Sequence, residues 1–313
     1  MANPHIVAGF LDDNNDGDPF DDNALLVYSG MILESYNKAI TTKGRHTERM
    51  ISSGKSAQFP IVGRVGSAFH TRGQELVMEQ VNSTAQTIAI QNLLVSPLFV
   101  DVLDEAKTHF DIRRPYATQQ GQELAEQDDL RVLMSFIAAS RSAALVTGGD
   151  AGVQVVSGTA DVNASALKAA IYDCAENLDD ASVPQDGRNI WVAPSQFYLL
   201  LQDGEFLDRD FGGEGSRATA VMRNAADFTV IKTTNLPTAS EVGDTDFPTA
   251  LRLDYTTTVA VSGHKDAAAS VSLIGIQFEH EYQPLRQGTL LLAKMAKGYG
   301  FLRPEAAVEI ATA

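Results

Sequence analysis

Residues 44 to 75 read GRHTERMISSGKSAQFPIVGRVGSAFHTRGQE, a stretch whose charge is opposite to that of the whole chain. It holds five cations (Arg45, Arg49, Lys55, Arg64, Arg72) and two acids (Glu48, Glu75), a local +3 in a chain of net charge −16. Bulky apolar residues are sparse, glycine and serine recur, and no amphipathic period runs through it. A connection this long without a core of its own is uncommon inside a compact domain. Such a segment is either disordered or an arm that finds its partner on another molecule.

The surroundings bound the alternatives. At 313 residues, 44% hydrophobic and 20% charged, the composition is globular and large enough for one or two domains. No apolar run reaches the roughly 18 residues of a membrane span. The first residues, MANPHIVAGFLDDNNDGD, lack the basic start and apolar core of a secretory signal. A single cysteine, Cys174, excludes an internal disulfide framework and a cysteine-rich metal site. Together these place synthesis in the cytoplasm. A charge of −16 argues against sequence-independent grip on nucleic acid, which needs clustered Lys and Arg, and it favours solubility.

Before the basic stretch, six aspartates fall within the first 22 residues and read as a solvated lead-in. Asp21 to Asn23 can cap a helix in which Leu25, Tyr28, Ile32 and Tyr36 form one apolar stripe, ending near Lys43 and Gly44. After the basic stretch, Thr84 to Val95 is β-branched and looks like a returning strand. Residues 47 to 93 therefore read as one long two-stranded excursion. A lone hairpin is marginal in water, so a neighbouring molecule is expected to hold it.

Further on, residues 101 to 109 suggest a short helix. Residues 118 to 145 suggest a long one, roughly 40 Å at about 1.5 Å per residue. It is expected to follow Pro115, to present Leu130, Leu133, Ile137 and Ala144 on one face with Phe136 and Ser140 beside it, and to end at Gly148 and Gly149. From Asp150 the texture changes. Leu167, Ala170, Ile171, Cys174, Ala175 and Leu178 mark an amphipathic helix, and residues 189 to 193 a buried strand. Ser195 can cap a helix over 196 to 201, and residues 228 to 234 form another strand. Short strands alternating with helices suggest an α/β or α+β region over 150 to 254, with 17 acids against 7 bases. Ile274, Ile276, Phe278, His280 and Tyr282 alternate as one face of a strand. Residues 289 to 296 and 306 to 310 are candidates to pair with it.

Chemical motifs are few. Gly54-Lys55-Ser56 resembles the end of a phosphate-binding loop, but the required earlier glycine is Arg49 and a proline follows at 60 where a helix should run. Asp12, Asn14, Asp16 and Gly17 match half of a calcium loop, yet the twelfth position is Asn23 instead of Glu. The six histidines (5, 46, 70, 109, 264, 280) show no metal spacing. Cys174 reads as a small core hydrophobe, and Arg141 and the Arg113-Arg114 pair as salt-bridge formers. No catalytic set, cofactor site or metal site is expected.

Three segments carry a family resemblance. ISSGKSAQFP (residues 51 to 60), with Gly63-Arg64 after it, is similar to the extended loop of major capsid proteins of short-tailed phages in the T7-like group. HFDIRRPYATQQGQELA (residues 109 to 125) resembles the start of their spine helix, and AKMAKGYGFLRPEAA (residues 293 to 307) their C-terminal strand region. The three occur in the family's order and at compatible spacing, while residues 150 to 270 depart from the pattern and are shorter.

The resemblance implies an α+β chain of the HK97-like capsid fold. Residues 1–44 would be an N-terminal arm with its helix, 45–95 the E-loop lying over a neighbouring subunit, and 96–149 the peripheral domain with its spine helix. Residues 150–254 would be the axial domain, and 255–313 the return to peripheral-domain strands. It implies a non-enzymatic protein that assembles with itself into hexamers and pentamers of an icosahedral head around double-stranded DNA, without sequence-specific contact and without a membrane. Expected partners are a scaffolding protein, a portal protein at one vertex and a decoration or cement protein. The expected location is the virion, with the host cytoplasm during assembly. Covalent ring cross-linking is not implied for this group. Arg45, Arg49, Lys55, Phe59, Arg64 and Arg72 are the expected subunit contacts, the five cations meeting acidic surface next door. An encapsulin-like compartment and an acidic calcium-binding module are the alternatives.

Overall fold

The computed structural model describes residues 19–65, 67, 69–73, 75, 81–107, 113–203, 215–216, 221–222 and 224–312. The chain runs through α1 (Pro19–Ala39), β1 (Thr47–Met50), β2 (Ser56–Val62), β3 (Ser83–Ala89), β4 (Leu94–Asp101), α2 (Val102–Lys107) and α3 (Arg113–Ser140). It continues through β5 (Val153–Val156), α4 (Ala164–Asp180), β6 (Arg188–Val192), α5 (Pro194–Asp203), β7 (Gly215–Ser216), β8 (Val221–Met222), β9 (Asn224–Ala225) and β10 (Phe228–Lys232). β11 (Thr258–His264), β12 (Ala268–Gln283), β13 (Gly288–Phe301) and β14 (Ala307–Ala311) complete it.

Two compact units share this chain: residues 1–40, 92–129 and 274–297 in one, and 41–91, 130–273 and 298–313 in the other. Three of the five crossings fall inside regular elements, namely within α3, β12 and β13.

In the first unit α1 buries Tyr28, Ile32 and Tyr36 of the expected stripe, while the side chain of Leu25 lies outside the described residues. The helix begins at Pro19, ahead of the expected cap at Asp21 to Asn23, because proline suits a first turn whose N–H groups lack partners anyway. It ends at Ala39, four residues short of Lys43. α1 lies against α3 at Gly121, where an added Cβ would stand 2.6 Å from the Ile32 carbonyl oxygen. Glycine inside a helix costs roughly 1 kcal/mol, and here it permits this backbone approach. The Tyr28 hydroxyl donates to Gln120 Oε1 (2.9 Å), and Ser35 Oγ donates to the Thr118 carbonyl (2.8 Å). Tyr36 and Lys297 both donate to the buried Asp128 carboxylate. Along β12, residues 274, 276, 278, 280 and 282 are half-buried, while 275, 277, 279 and 281 are exposed, as the alternation requires. β13 pairs antiparallel with β4 from Gly288↔Asp101 to Met295↔Leu94.

α3 spans 28 residues, but begins and ends five residues earlier than the hydrophobic period suggests. Pro115 lies within its first turn, where its missing N–H is not needed. At the far end Arg141 and Ser142 turn out of the helix, so Ala144 is exposed and not on the buried face. Gly148 (φ +86) belongs to the following turn.

The second unit is built on a six-stranded sheet in the order β5-β14-β11-β6-β10-β9. β14 therefore pairs with β11 and β5, not with the long β12–β13 ribbon as the sequence suggests. From Val132 to Ser140 every residue of α3 is buried, and Phe136 meets Trp191 of β6 at 4.9 Å between ring centroids. α4 buries Leu167, Ala170, Ile171, Cys174 and Leu178, and Asn163 Oδ1 caps it by accepting from Ser165 N (3.0 Å). Ser195 lies inside α5, bonded to Gln196 and not capping the helix.

One carboxylate in this unit is wholly buried. Glu309 of β14 accepts from Arg141 Nε (2.7 Å) and Nη2 (2.6 Å), from Gln154 Nε2 (2.7 Å) and from Thr258 Oγ1 (2.6 Å). Arg141 also donates to the Asp254 carbonyl and lies over the Tyr255 ring. The hydrogen bonds to Glu309 hold the Arg141 pKa above its ordinary value, against the opposing effect of burial. The salt bridge expected of Arg141 is thus present; the side chain of Arg113 lies outside the described residues, and Arg114 is exposed.

Arg141→Met strands the Glu309 charge, and is expected to cost about 3 kcal/mol in urea unfolding. Adding Glu309→Leu should recover most of that loss. A cost below about 1 kcal/mol for the single change would show that Gln154 and Thr258 suffice.

Burial raises the Cys174 thiol from its ordinary 9.0 to about 12. Because the folded value is the higher, its contribution to stability is complete below pH 9 and is lost as pH rises from there towards 12. Stability should fall by about 1.4 kcal/mol per pH unit more steeply than in Cys174→Ala over that window. Parallel alkaline unfolding curves for the two chains would refute this.

Candidate assembly surface

Arg45 and His46 lie in the turn that leads into β1, which runs parallel to β12 from Thr47↔Ala269 to Met50↔Ser272. His46 is buried here, with Nε2 2.8 Å from Ser270 Oγ and Nδ1 2.9 Å from the Thr42 carbonyl. A carbonyl only accepts, so Nδ1 carries a proton. The chain then turns at Gly54 (φ +115) into β2. A strand therefore follows Gly54-Lys55-Ser56, and the helix N-terminus on which a phosphate loop depends is not there.

β2 and β3 pair antiparallel, from Ser56↔Ala89 to Val62↔Ser83. This ribbon is shorter than the excursion expected over 47 to 93, since β1 joins another sheet and Leu94 opens β4. Its support also differs from the expectation. Ala57, Phe59 and Ile88 alternate inward and pack on Ala269 and Val271 of the same chain. Two glycines of β13 make room: a Cβ on Gly298 would stand 2.3 Å from the Ala89 carbonyl oxygen, and one on Gly300 would stand 3.0 Å from Ile88. Glycine within a strand signals such an approach of a second backbone, so Gly298-Tyr299-Gly300 is a readable cue. The root of the ribbon thus has a small core within its own chain.

The six expected contact residues fall into two groups. Arg45 Nη1 donates to the Thr41 carbonyl (2.8 Å). Arg49 donates to the Gln58 carbonyl (2.9 Å) and lies 5.6 Å from the centre of the Phe59 ring. Phe59 faces the core. Arg64 pairs with Asp150 (3.0 Å) and donates to the Ala181 carbonyl (2.6 Å). These four are engaged within the chain. Lys55 and Arg72 are exposed and have no side-chain partner among the described residues. Val62 at the end of β2 is exposed, and so are Val65, Phe69 and Val81 beyond the paired strands; Phe69 is as accessible as a free side chain.

Most of the half calcium loop lies outside the described residues, and its twelfth position, Asn23, is within α1. His280 is half-buried, parallel to Phe278 at 6.4 Å. Among the described residues no cluster of His, Cys, Asp or Glu could hold a metal, and no helix is long and apolar enough to cross a membrane.

Comparison with known proteins accounts for this architecture. The chain is 26% identical to the major capsid protein of Enterobacteria phage T3 over 317 aligned positions, covering 90% of this chain and 89% of that one. It is 27% identical to the major capsid protein of Escherichia phage T7, with 90% of each covered. Among solved structures, the capsid of cyanophage P-SCSP1u superposes with a TM-score of 0.79 at 30% identity over 88% of both chains. The fold is thus the HK97-like one of phage capsids that the three sequence segments imply. The Gp10A-like major capsid protein model matches residues 58–311, from the ribbon's first strand to the last strand of the sheet, and the chain belongs to that family.

Proposed function

We propose that copies of this phage major capsid protein close head-to-tail into hexamers and pentamers of an icosahedral head enclosing double-stranded DNA. The observation that carries the reading is the distal part of the basic loop, where Val65 and Phe69 stand in solvent beyond a ribbon whose root is already packed. Large apolar side chains in a row on a monomer mark a surface that another molecule covers. Head-to-tail contacts of this kind generate closed rings, and many weak ones in a single shell hold each subunit firmly.

Within this reading residues 1–44 act as the N-terminal arm, 45–95 as the E-loop and 96–149 as the peripheral domain with α3 as its spine. Residues 150–254 act as the axial domain, and 255–313 return to the peripheral strands. The loop meets the next subunit through Lys55, Arg72 and the apolar side chains near them. Arg45, Arg49, Phe59 and Arg64 shape the segment that presents them. The acidic region over 150 to 254 is the complementary surface; opposite charge across such a contact sets register more than affinity.

The work is association and not a reaction. A scaffolding protein guides it, a portal occupies one vertex, and a decoration or cement protein can cover the outside. DNA is enclosed without sequence-specific contact, since a net charge of −16 gives little grip on phosphate. An encapsulin-like compartment shares the fold; membership of a phage capsid family favours the head, and the nucleic-acid content of purified particles separates the two.

Electron microscopy of the chain expressed with and without its scaffolding protein tests the proposal: icosahedral shells are expected, and a persistent monodisperse monomer would overturn it. Lys55→Glu combined with Arg72→Glu should abolish shells while shifting monomer stability by no more than about 0.5 kcal/mol. Normal shells from that variant would remove both residues from the interface.

A further inference from the structure

The C-terminal end of α4 is built against its own electrostatics. A helix presents partial negative charge at its C-terminus, where unpaired carbonyls gather, and basic residues in the last turn normally offset it. α4 has no basic residue there and ends instead on Asp179 and Asp180. The turn that follows is strained as well. Ser182 takes φ +57, a conformation that favours glycine. Its amide donates to the Asp179 carbonyl (2.8 Å), and the Val183 amide donates to the Leu178 carbonyl (3.0 Å).

Two arginines from elsewhere in the second unit correct this end. Arg188 of β6, itself buried, reaches Asp179 Oδ1 (2.7 Å) and the Val183 carbonyl (2.6 Å). The other is Arg64, two residues past the end of β2. It reaches the Ala181 carbonyl, the helix-capping residue, and Asp150 at the same time through Nη2. The approach is close on the loop side too. The Gly63 amide donates to the Asn82 carbonyl (2.9 Å), closing the ribbon, and a Cβ on Gly63 would stand 2.9 Å from Val146 Cγ1. Between these segments lies a cavity of about 160 Å³, lined by Arg64, Asp150, Ser182, His264 and Glu305 among others.

We propose that Arg64 is a salt-sensitive clasp: by adding a second cation, beside Arg188, at the end of a helix with no basic residue of its own there, it fixes the direction in which the basic loop leaves the ribbon. Arg64 is then a positioning residue inside one subunit. Of the loop's cations, Arg72 lies beyond this clasp, so the direction in which it is presented depends on Arg64 being held at home. The Arg64 and Asp150 side chains are each about half exposed (57% and 48%). Mobile salt ions therefore reach the pair and weaken it. The device opens by separating one ion pair and one charged hydrogen bond, with no disturbance of the sheet beneath.

Amide hydrogen exchange on the full-length unassembled chain tests this without requiring shells, so its outcome is independent of the proposed assembly. In Arg64→Ala the amides of Gly63, Ser182 and Val183 should exchange about tenfold faster or more, while Ile190 to Val192 of β6 keep wild-type protection. Asp150→Asn removes the ion pair but leaves the bond to Ala181, and should give a smaller increase at the same amides. Raising salt towards 1 M should move the wild type towards Asp150→Asn and leave Arg64→Ala unchanged. Wild-type exchange at all three amides in Arg64→Ala would overturn the proposal, as would acceleration spread equally through β6.

Discussion

The buried carboxylate of Glu309 joins the C-terminal strand, its two neighbouring strands and the end of α3 in the second unit. Glu309 sits in a strand whose every residue is buried, and its four donors come from the end of the spine helix, from β5 and from β11. Placing a charge there is costly, and it is offset only because the guanidinium of Arg141 meets it with two parallel N–H groups while Gln154 and Thr258 complete its hydrogen bonds. An apolar residue at 309 could pack the same space, but it would not tell the helix end where to stop. Arg141 is the first residue past α3, and its side chain is engaged by Glu309, Asp254 and Thr258 at once. The end of α3 is therefore tied to the C-terminal strand.

That tie explains why some of the fold is legible in the sequence and some is not. Periodicity reveals the buried stripe of α1, the buried face of α4 and the alternation along β12, because each reflects a local rule about which side chains share a face. It misplaces the limits of α3 because it is blind to what ends a helix. Pro115 looks like a barrier but is harmless in a first turn, and at the true stop, Ser140, the next residue Arg141 meets Glu309, 168 residues away, a contact that periodicity does not register. The sheet to which β14 belongs is hidden for a related reason: hydrophobic pattern identifies a strand but not its neighbours.

The basic segment shows the same division. Its length and charge mark it as an arm, and the family resemblance supplies its place in a capsid subunit. Neither tells which of its cations are occupied at home. Asp150 and the Ala181 carbonyl lie 86 and 117 positions beyond Arg64, and a main-chain acceptor leaves no trace in composition. Phe59 is likewise ambiguous in the sequence; strand alternation places it on one side of the ribbon without saying which side the chain itself covers. Gly298 and Gly300 are the available clue, since a strand gives up two side chains only where another backbone must come close.

The way the two units share α3, β12 and β13 has a consequence for descent. A gene segment encoding either unit alone does not exist, because the first is assembled from three separate stretches and the second from three others. Exchange of one unit between related phages by recombination would need several simultaneous breakpoints, some inside a helix or a strand. The matches to the T3 and T7 major capsid proteins, at 26% and 27% identity, each cover 90% of this chain and so run through both units.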